Sequence, residues 1–397
     1  MIFSVVVKPT HLCNLACTYC YNDDVRDPVM SGETLGRVVG QTFSYVRQHV
    51  PHRLVSFIWH GGEPLIPGPA FYERAVDLQA AQGDGVTYTN SIQTNGTLLN
   101  DQWLSFLRAN NFTVSISIDG PADLHDRYRV DRKGRGSFAR VQEAIDSVKA
   151  AGIPLGVCVV ISRANIEHVD RIYDFLAVQG LRFNVIPLNR SGSARDGFED
   201  MGLGSDEYAD AWIRMYDRWF DADSDYVYCS DFVFKTRAIL AGRPADCIGL
   251  EQCSDTNIAI DPVGDVYPCA TLSGSESTRY GNLLGQDLAE LMDSTHAHDY
   301  RHRRTDAQCS SCRWQHVCHG GCQARSYKFF GDHHERDYYC PSLFRIYEHI
   351  ATKLAARAGN TWDAREPPPA ERRSFSAPAR GVPISLRRSR NGEQAVL

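Results

Sequence analysis

Cysteine placement constrains this chain more than any other feature. Thirteen cysteines are present, and they are bunched rather than scattered. Three, Cys13, Cys17 and Cys20, lie in CNLACTYC directly behind the apolar run FSVVVK (3–8). Eight more, Cys247, Cys253, Cys269, Cys309, Cys312, Cys318, Cys322 and Cys340, crowd one stretch of the second half. An odd total without an export signal argues against a disulfide framework and for metal ligation. Three thiols on one loop fill three corners of a metal centre and leave the fourth open. A structural zinc site closes with four protein ligands and a redox pair needs two, so the open corner suits an iron–sulfur cluster that binds a small molecule at its unique iron.

The first half alternates β-branched runs with helical periods. Strands are expected at 3–8, 54–59, 86–93, 112–118, 155–161 and 181–187, and helices at 31–50, 102–110, 137–152 and 165–180. Six strand–helix units in sequence predict a parallel sheet with right-handed crossovers, an α/β partial (β/α)6 barrel whose chemistry sits at the carboxyl ends of the strands. Residues 1–190 form this unit, 191–246 a linker with bridging helices, and 247–345 a loop-rich unit in which ligand bonds substitute for a core. A helix is expected at 346–362 and a disordered Pro/Arg-rich tail at 363–397.

Net charge is −6, with no basic block in the main body, so nucleic acid is not an expected partner. No stretch reads as a signal peptide or membrane span, which predicts a cytoplasmic chain. The chain starts almost at its first strand, so a leader-binding domain is not expected before it.

The strand ends supply candidate ligand groups. WHGGEPL places Gly61, Gly62, Glu63 and Pro64 after the second strand: glycines permit close backbone approach and the carboxylate can hold an ammonium. SIQTNGT ends the third strand with Asn95, able to reach a sugar hydroxyl or to form a turn. SISIDGPADLHDRYR ends the fourth with Ser117, Asp119 and Arg129; Asp119 can be a turn former and Arg129 a carboxylate clamp.

CNLACTYC together with HGGEP resembles the radical S-adenosylmethionine (SAM) superfamily over residues 3 to 190. The resemblance implies a [4Fe–4S] cluster on Cys13, Cys17 and Cys20, with SAM on its open iron. It places Glu63 and the adjoining glycines at the cofactor's ammonium, Tyr19 or Tyr21 near cluster and adenine, and Asn95 and Ser117 at ribose and methionyl groups. Arg129, with Arg140 as the competing candidate, is a looser transfer. The later cysteines, including CHGGC at 318–322, are similar to a SPASM domain. That resemblance implies two auxiliary [4Fe–4S] clusters, one on Cys247, Cys253, Cys269 and Cys322 and one on Cys309, Cys312, Cys318 and Cys340, making three in all.

The family implies a peptide maturase that oxidatively cross-links a ribosomally made precursor peptide. An electron donor such as flavodoxin or ferredoxin and a separate leader-binding protein are the further partners implied. Sulfatase-type formylglycine formation is the alternative. That branch keeps an Asp after the third auxiliary cysteine, where VYPCATL has Ala270, and Asp231 is the candidate replacement base. Peptide epimerisation is a minor alternative, with Cys229 as hydrogen donor. Cys158, inside LGVCVVI, reads as core packing. A zinc-stabilised or electron-transfer module is the non-enzyme reading.

Overall fold

The computed structural model describes residues 2–22, 29–222 and 227–358. One sheet of nine strands runs through both halves, in the order β6-β5-β4-β3-β2-β1-β7-β8-β9. The first six are β1 (Phe3–Val7), β2 (Leu54–Trp59), β3 (Thr87–Thr94), β4 (Thr113–Ser117), β5 (Leu155–Ile161) and β6 (Arg182–Pro187). They pair in parallel, each with the next, as the alternation of strand and helix requires.

Alternation within each strand sets the layers. In β2, Val55, Phe57 and Trp59 are buried against the helical layer, while Ser56 and Ile58 take the other, half-buried face. That inner face is unusually polar: Thr89 bonds Ser56, and Gln93 bonds Ser117 across the sheet. A parallel sheet with both faces dry would read as continuous hydrophobic runs, so the polar row marks a face open to a ligand.

The helix Gly32–His49 starts where the Ser31 hydroxyl accepts the Thr34 amide, and it buries Leu35, Val38, Val39, Phe43 and Val46. A further helix, Pro69–Gln82, lies outside the segments predicted above. Its buried face consists only of Tyr72, Ala75 and Gln79, too sparse for a clear apolar period. Gln79 is satisfied there by two bonds to Asn90.

The cysteine-rich half is not a separate layer. β7 (Asn257–Ile260) pairs in parallel with β1, and the hairpin strands β8 (Asp265–Tyr267) and β9 (Gly281–Asn282) continue the sheet. With β6 and β9 at its two ends, the sheet stays an open, partial barrel. The linker contributes the helices Ser205–Asp221 and Ser230–Ala241. The last helix runs Cys340–Arg357, beginning earlier than the expected 346, with Pro341 in its first turn. The tail expected at 363–397 lies outside the described residues. No described helix is long and apolar enough to cross a membrane.

Candidate active site

The loop after β1 is built against the loop after β2. Backbone bonds run from Gly62 N–H to Thr10 O at 3.0 Å and from Glu63 N–H to Leu12 O at 2.8 Å. The approach is so close that a Cβ at Gly62 would lie 2.3 Å from the carbonyl oxygens of His11 and Leu12. Only glycine fits there. On the other side, Ala16 and Thr18 amides bond the carbonyls of Val130 and Tyr128, and Arg132 bonds the Cys13 carbonyl at 2.9 Å. The three thiols thus sit on a loop clamped from two strand ends.

Burial pushes Cys13 up to about 12 and Cys17 up to about 11, and each is raised further by the neighbouring thiols of this loop. Thiols in this environment ionise only against a cation. Glu63 is fully buried; one oxygen accepts from Thr94 (2.7 Å) and the Leu65 amide (3.0 Å), the other from the Asn95 amide (2.8 Å). Desolvation nevertheless lifts its carboxyl to about 7. Pro64 offers its carbonyl to Tyr72 at 2.7 Å, which locks the turn beyond Glu63. Asn95 donates to Cys13 Sγ at 3.7 Å and to Asn14 at 2.9 Å.

Asp119 gathers two of the expected residues. It accepts from Tyr19 Oη, from Arg129 Nε at 2.8 Å and from the Val160 amide at 3.0 Å. Arg129 therefore spends its charge on Asp119 within the protein, with its guanidinium over the Tyr19 ring. The turn reading of Asp119 misses this part. Tyr21 points elsewhere, beside His60 and under Lys8. Neither Lys8 nor His60 was singled out in the sequence, where one ends an apolar run and the other precedes a glycine turn.

The second-half thiols gather in two places. Cys253 lies near Cys247, Cys322 and Cys269, while Cys318 lies near Cys340 and Cys312, and Cys309 near Cys340. Cys309, Cys312, Cys318 and Cys340 line one cavity of about 450 Å³. Among the described residues, no three thiols come within 4.8 Å of one another, whereas tetrahedral zinc with Zn–S of 2.3 Å would hold sulfurs about 3.8 Å apart. The all-thiol donor set fits iron–sulfur clusters. The CHGGC turn is held by Arg303, which donates to the carbonyls of His319, Gly320 and Gly321; positive φ at all three residues aims those oxygens inward.

Asp231 and Cys229 do not reach the barrel mouth. Cys229 is buried and bridges Phe183, near the amino end of β6 and opposite the mouth. Asp231 is paired with Lys235 at 2.5 Å and accepts from Trp212 Nε1 at 2.5 Å, so it serves packing between the linker helices. Cys158, by contrast, lies on the inner face, donating to Gln93 at 3.3 Å and touching Ser115 at 3.6 Å. Arg140, at the start of the helix Phe138–Ala150, is exposed.

An open parallel barrel with a clamped three-thiol loop and two further thiol quartets defines a radical enzyme of the iron–sulfur type. The radical SAM superfamily pattern matches residues 7–176, and the SPASM iron-sulfur cluster-binding domain matches residues 252–313. The serine-type anaerobic sulfatase-maturating enzyme of Bacteroides thetaiotaomicron is 30% identical over 375 residues, 87% of this chain and 89% of that one. The cysteine-type enzyme of Clostridium perfringens (strain 13 / Type A) is 28% identical over 372 residues, 90% and 98% of the two chains. Native anSMEcpe with bound AdoMet and Cp18Cys peptide superimposes with a TM-score of 0.79 at 26% identity, covering 90% of this chain and 99% of that one. The chain belongs to the radical SAM superfamily, in the SPASM-bearing group that includes the anaerobic sulfatase-maturating enzymes, and it is a radical SAM oxidoreductase.

Proposed function

We propose that this enzyme oxidises the side chain of a cysteine or serine in a peptide or protein segment to an aldehyde, as in formylglycine formation. The observation that supports this most is similarity to the sulfatase-maturating enzymes along nearly the whole length of both chains. The cross-linking expectation therefore yields first place to its alternative.

In this reading Cys13, Cys17 and Cys20 hold the SAM-binding cluster, Cys247, Cys253, Cys269 and Cys322 the first auxiliary cluster, and Cys309, Cys312, Cys318 and Cys340 the second. Bound there, cluster and SAM supply a 5′-deoxyadenosyl radical that takes hydrogen from an unactivated carbon, and the auxiliary clusters accept an electron. The chain's own residues position and contain. Gly61 and Gly62 bring backbone up to the cofactor, and Glu63, fixed by Thr94 and Asn95, presents negative charge where the SAM ammonium docks. Asn95 and Ser117 offer amide and hydroxyl to ribose and methionyl groups from the polar inner face. Tyr19 is held rigid by Asp119 and Arg129, so its ring serves as a fixed wall for the adenine. A small electron-carrier protein of the flavodoxin or ferredoxin kind supplies the reducing electron.

Ala270 favours a second reading, peptide cross-linking, because it removes the carboxylate expected of the formylglycine branch. Anaerobically reconstituted enzyme with peptides bearing a single Cys or Ser decides between them. Formylglycine formation predicts an aldehyde captured by a hydrazide, one per 5′-deoxyadenosine. Loss of two hydrogens without a trappable aldehyde would replace that reading with cross-linking, and unchanged mass with epimerisation.

A further inference from the structure

Oxidising a substrate carbon releases a proton, and three of the buried acids are already engaged. Glu63 is tied to three donors, Asp119 to Tyr19 and Arg129, and Asp231 to Lys235. Ala270, following Cys269, has no side-chain acceptor.

One pair of groups on the inner wall is different. Tyr21 Oη and His60 Nδ1 are both buried and both lack a hydrogen-bond partner. Their rings lie 5.4 Å apart, and Cys20 and Cys269 both lie near the phenol, so it stands between the three-thiol loop and Cys269. Register fixes the place independently. Val6 pairs with Ile58, Ala270 packs against the cluster formed by Val6 and Tyr267, and Lys8 and His60 follow two residues later on the same faces of β1 and β2. Ile58, two residues before His60, packs on the same cluster as Ala270.

We propose that the His60 imidazole is the proton acceptor of the oxidation. The inference rests on the reading of the chain as a side-chain oxidase. Converting H–C–X–H to C=X, with X sulfur or oxygen, removes one hydrogen atom, taken by the 5′-deoxyadenosyl radical. It also removes one electron, taken by an iron–sulfur cluster, and one proton, taken by His60. Burial and the positive charge of Lys8 hold the imidazole at about 3, so it arrives proton-free at neutral pH.

The test compares wild type, His60→Gln and His60→Gln with Ala270→Asp on the same peptide. Losing a general base predicts that product per 5′-deoxyadenosine falls about a hundredfold or more in H60Q. The SAM-induced change in the EPR spectrum of the reduced cluster stays that of wild type, and the added carboxylate restores product at least tenfold. Wild-type coupling in H60Q, or loss of the SAM-dependent EPR change together with product, would overturn the role. The chemical identity of the wild-type product judges the side-chain reading separately, because a cross-link that also disappears in H60Q would overturn the aldehyde assignment and leave His60 as acceptor.

Discussion

The two halves of the molecule place thiols in loops by different means. From β1 to β6 the loops hang on a sheet whose helix-facing row is dry: Val5, Val7, Phe57, Trp59 and Ile92 are fully buried. From Cys247 to Cys340 the strands are short, and order comes from polar staples such as the Arg325–Asp337 pair, with Nε–Oδ1 at 2.8 Å, and Arg303 in the CHGGC turn. One half hangs its loops on a hydrophobic sheet, and the other adds polar staples to a core that includes Leu283, Leu291, Trp314 and Val317. A metal lost from the first should disable it, and a metal lost from the second should loosen it.

The largest effect that follows is on local stability. Removing iron, or Cys318→Ala, is expected to speed amide exchange in residues 309–322 by about a hundredfold or more, the signature of lost ligand-coupled folding. Strands β2 to β5 should exchange as before. Cys17→Ala should leave exchange in both halves unchanged while abolishing 5′-deoxyadenosine release. Because β7 pairs with β1, the sharpest form of the comparison is β1 itself: if it loses protection with the second half, the shared sheet transmits the loss.

Within the first half, the buried Glu63 is the weak point of the dry design. Its carboxyl is raised from 4.5 to about 7 by burial, against the lowering pull of Thr94, Asn95 and Leu65. An acid raised on folding binds a proton in the native state that the unfolded chain has already lost, so stability falls as pH climbs from 4.5 to about 7. The drop attributable to this group is about 3 kcal/mol. Glu63→Gln should flatten that slope, read as urea midpoints at pH 5 and pH 7. An unchanged slope would mean that the three donors already compensate the charge.

Much of this was legible in the sequence, and the reasons differ by region. The six parallel strands stand out because β-branched runs are bounded by turn residues, and their observed limits match to within a residue or two. The thiol sets were readable only through resemblance, since spacing alone does not say which of eight cysteines share a site. NIAI, which becomes β7, is four residues long and acquires its meaning only from pairing with β1. Cys158 shows the limit of pattern reading: LGVCVVI is apolar on both parities, so nothing in it separates the helix-facing Val157 and Val159 from the inner-facing cysteine. Lys8 and His60 are single letters on different strands, and only topology makes them neighbours.

The smallest expected effect concerns the seam where the last helix meets the linker. Arg345 bonds Asp206 at 2.9 Å and Asp210 at 2.5 Å, joining Cys340–Arg357 to Ser205–Asp221. Its partners are 83% and 63% exposed, so water and salt screen the attraction and ordering the long side chain offsets part of it. Beneath it, Ser342 and Ser205 exchange hydroxyl bonds, and Leu343, Ile346, Tyr347 and Ile350 are buried. Arg345→Ala should therefore cost no more than about 1 kcal/mol, and less in high salt. Truncating Ile346 to Ala in the same helix should cost about 2 to 5 kcal/mol. A charge deletion that outweighed the apolar one in denaturant midpoints would mean that this seam is held by polar contacts rather than by its core.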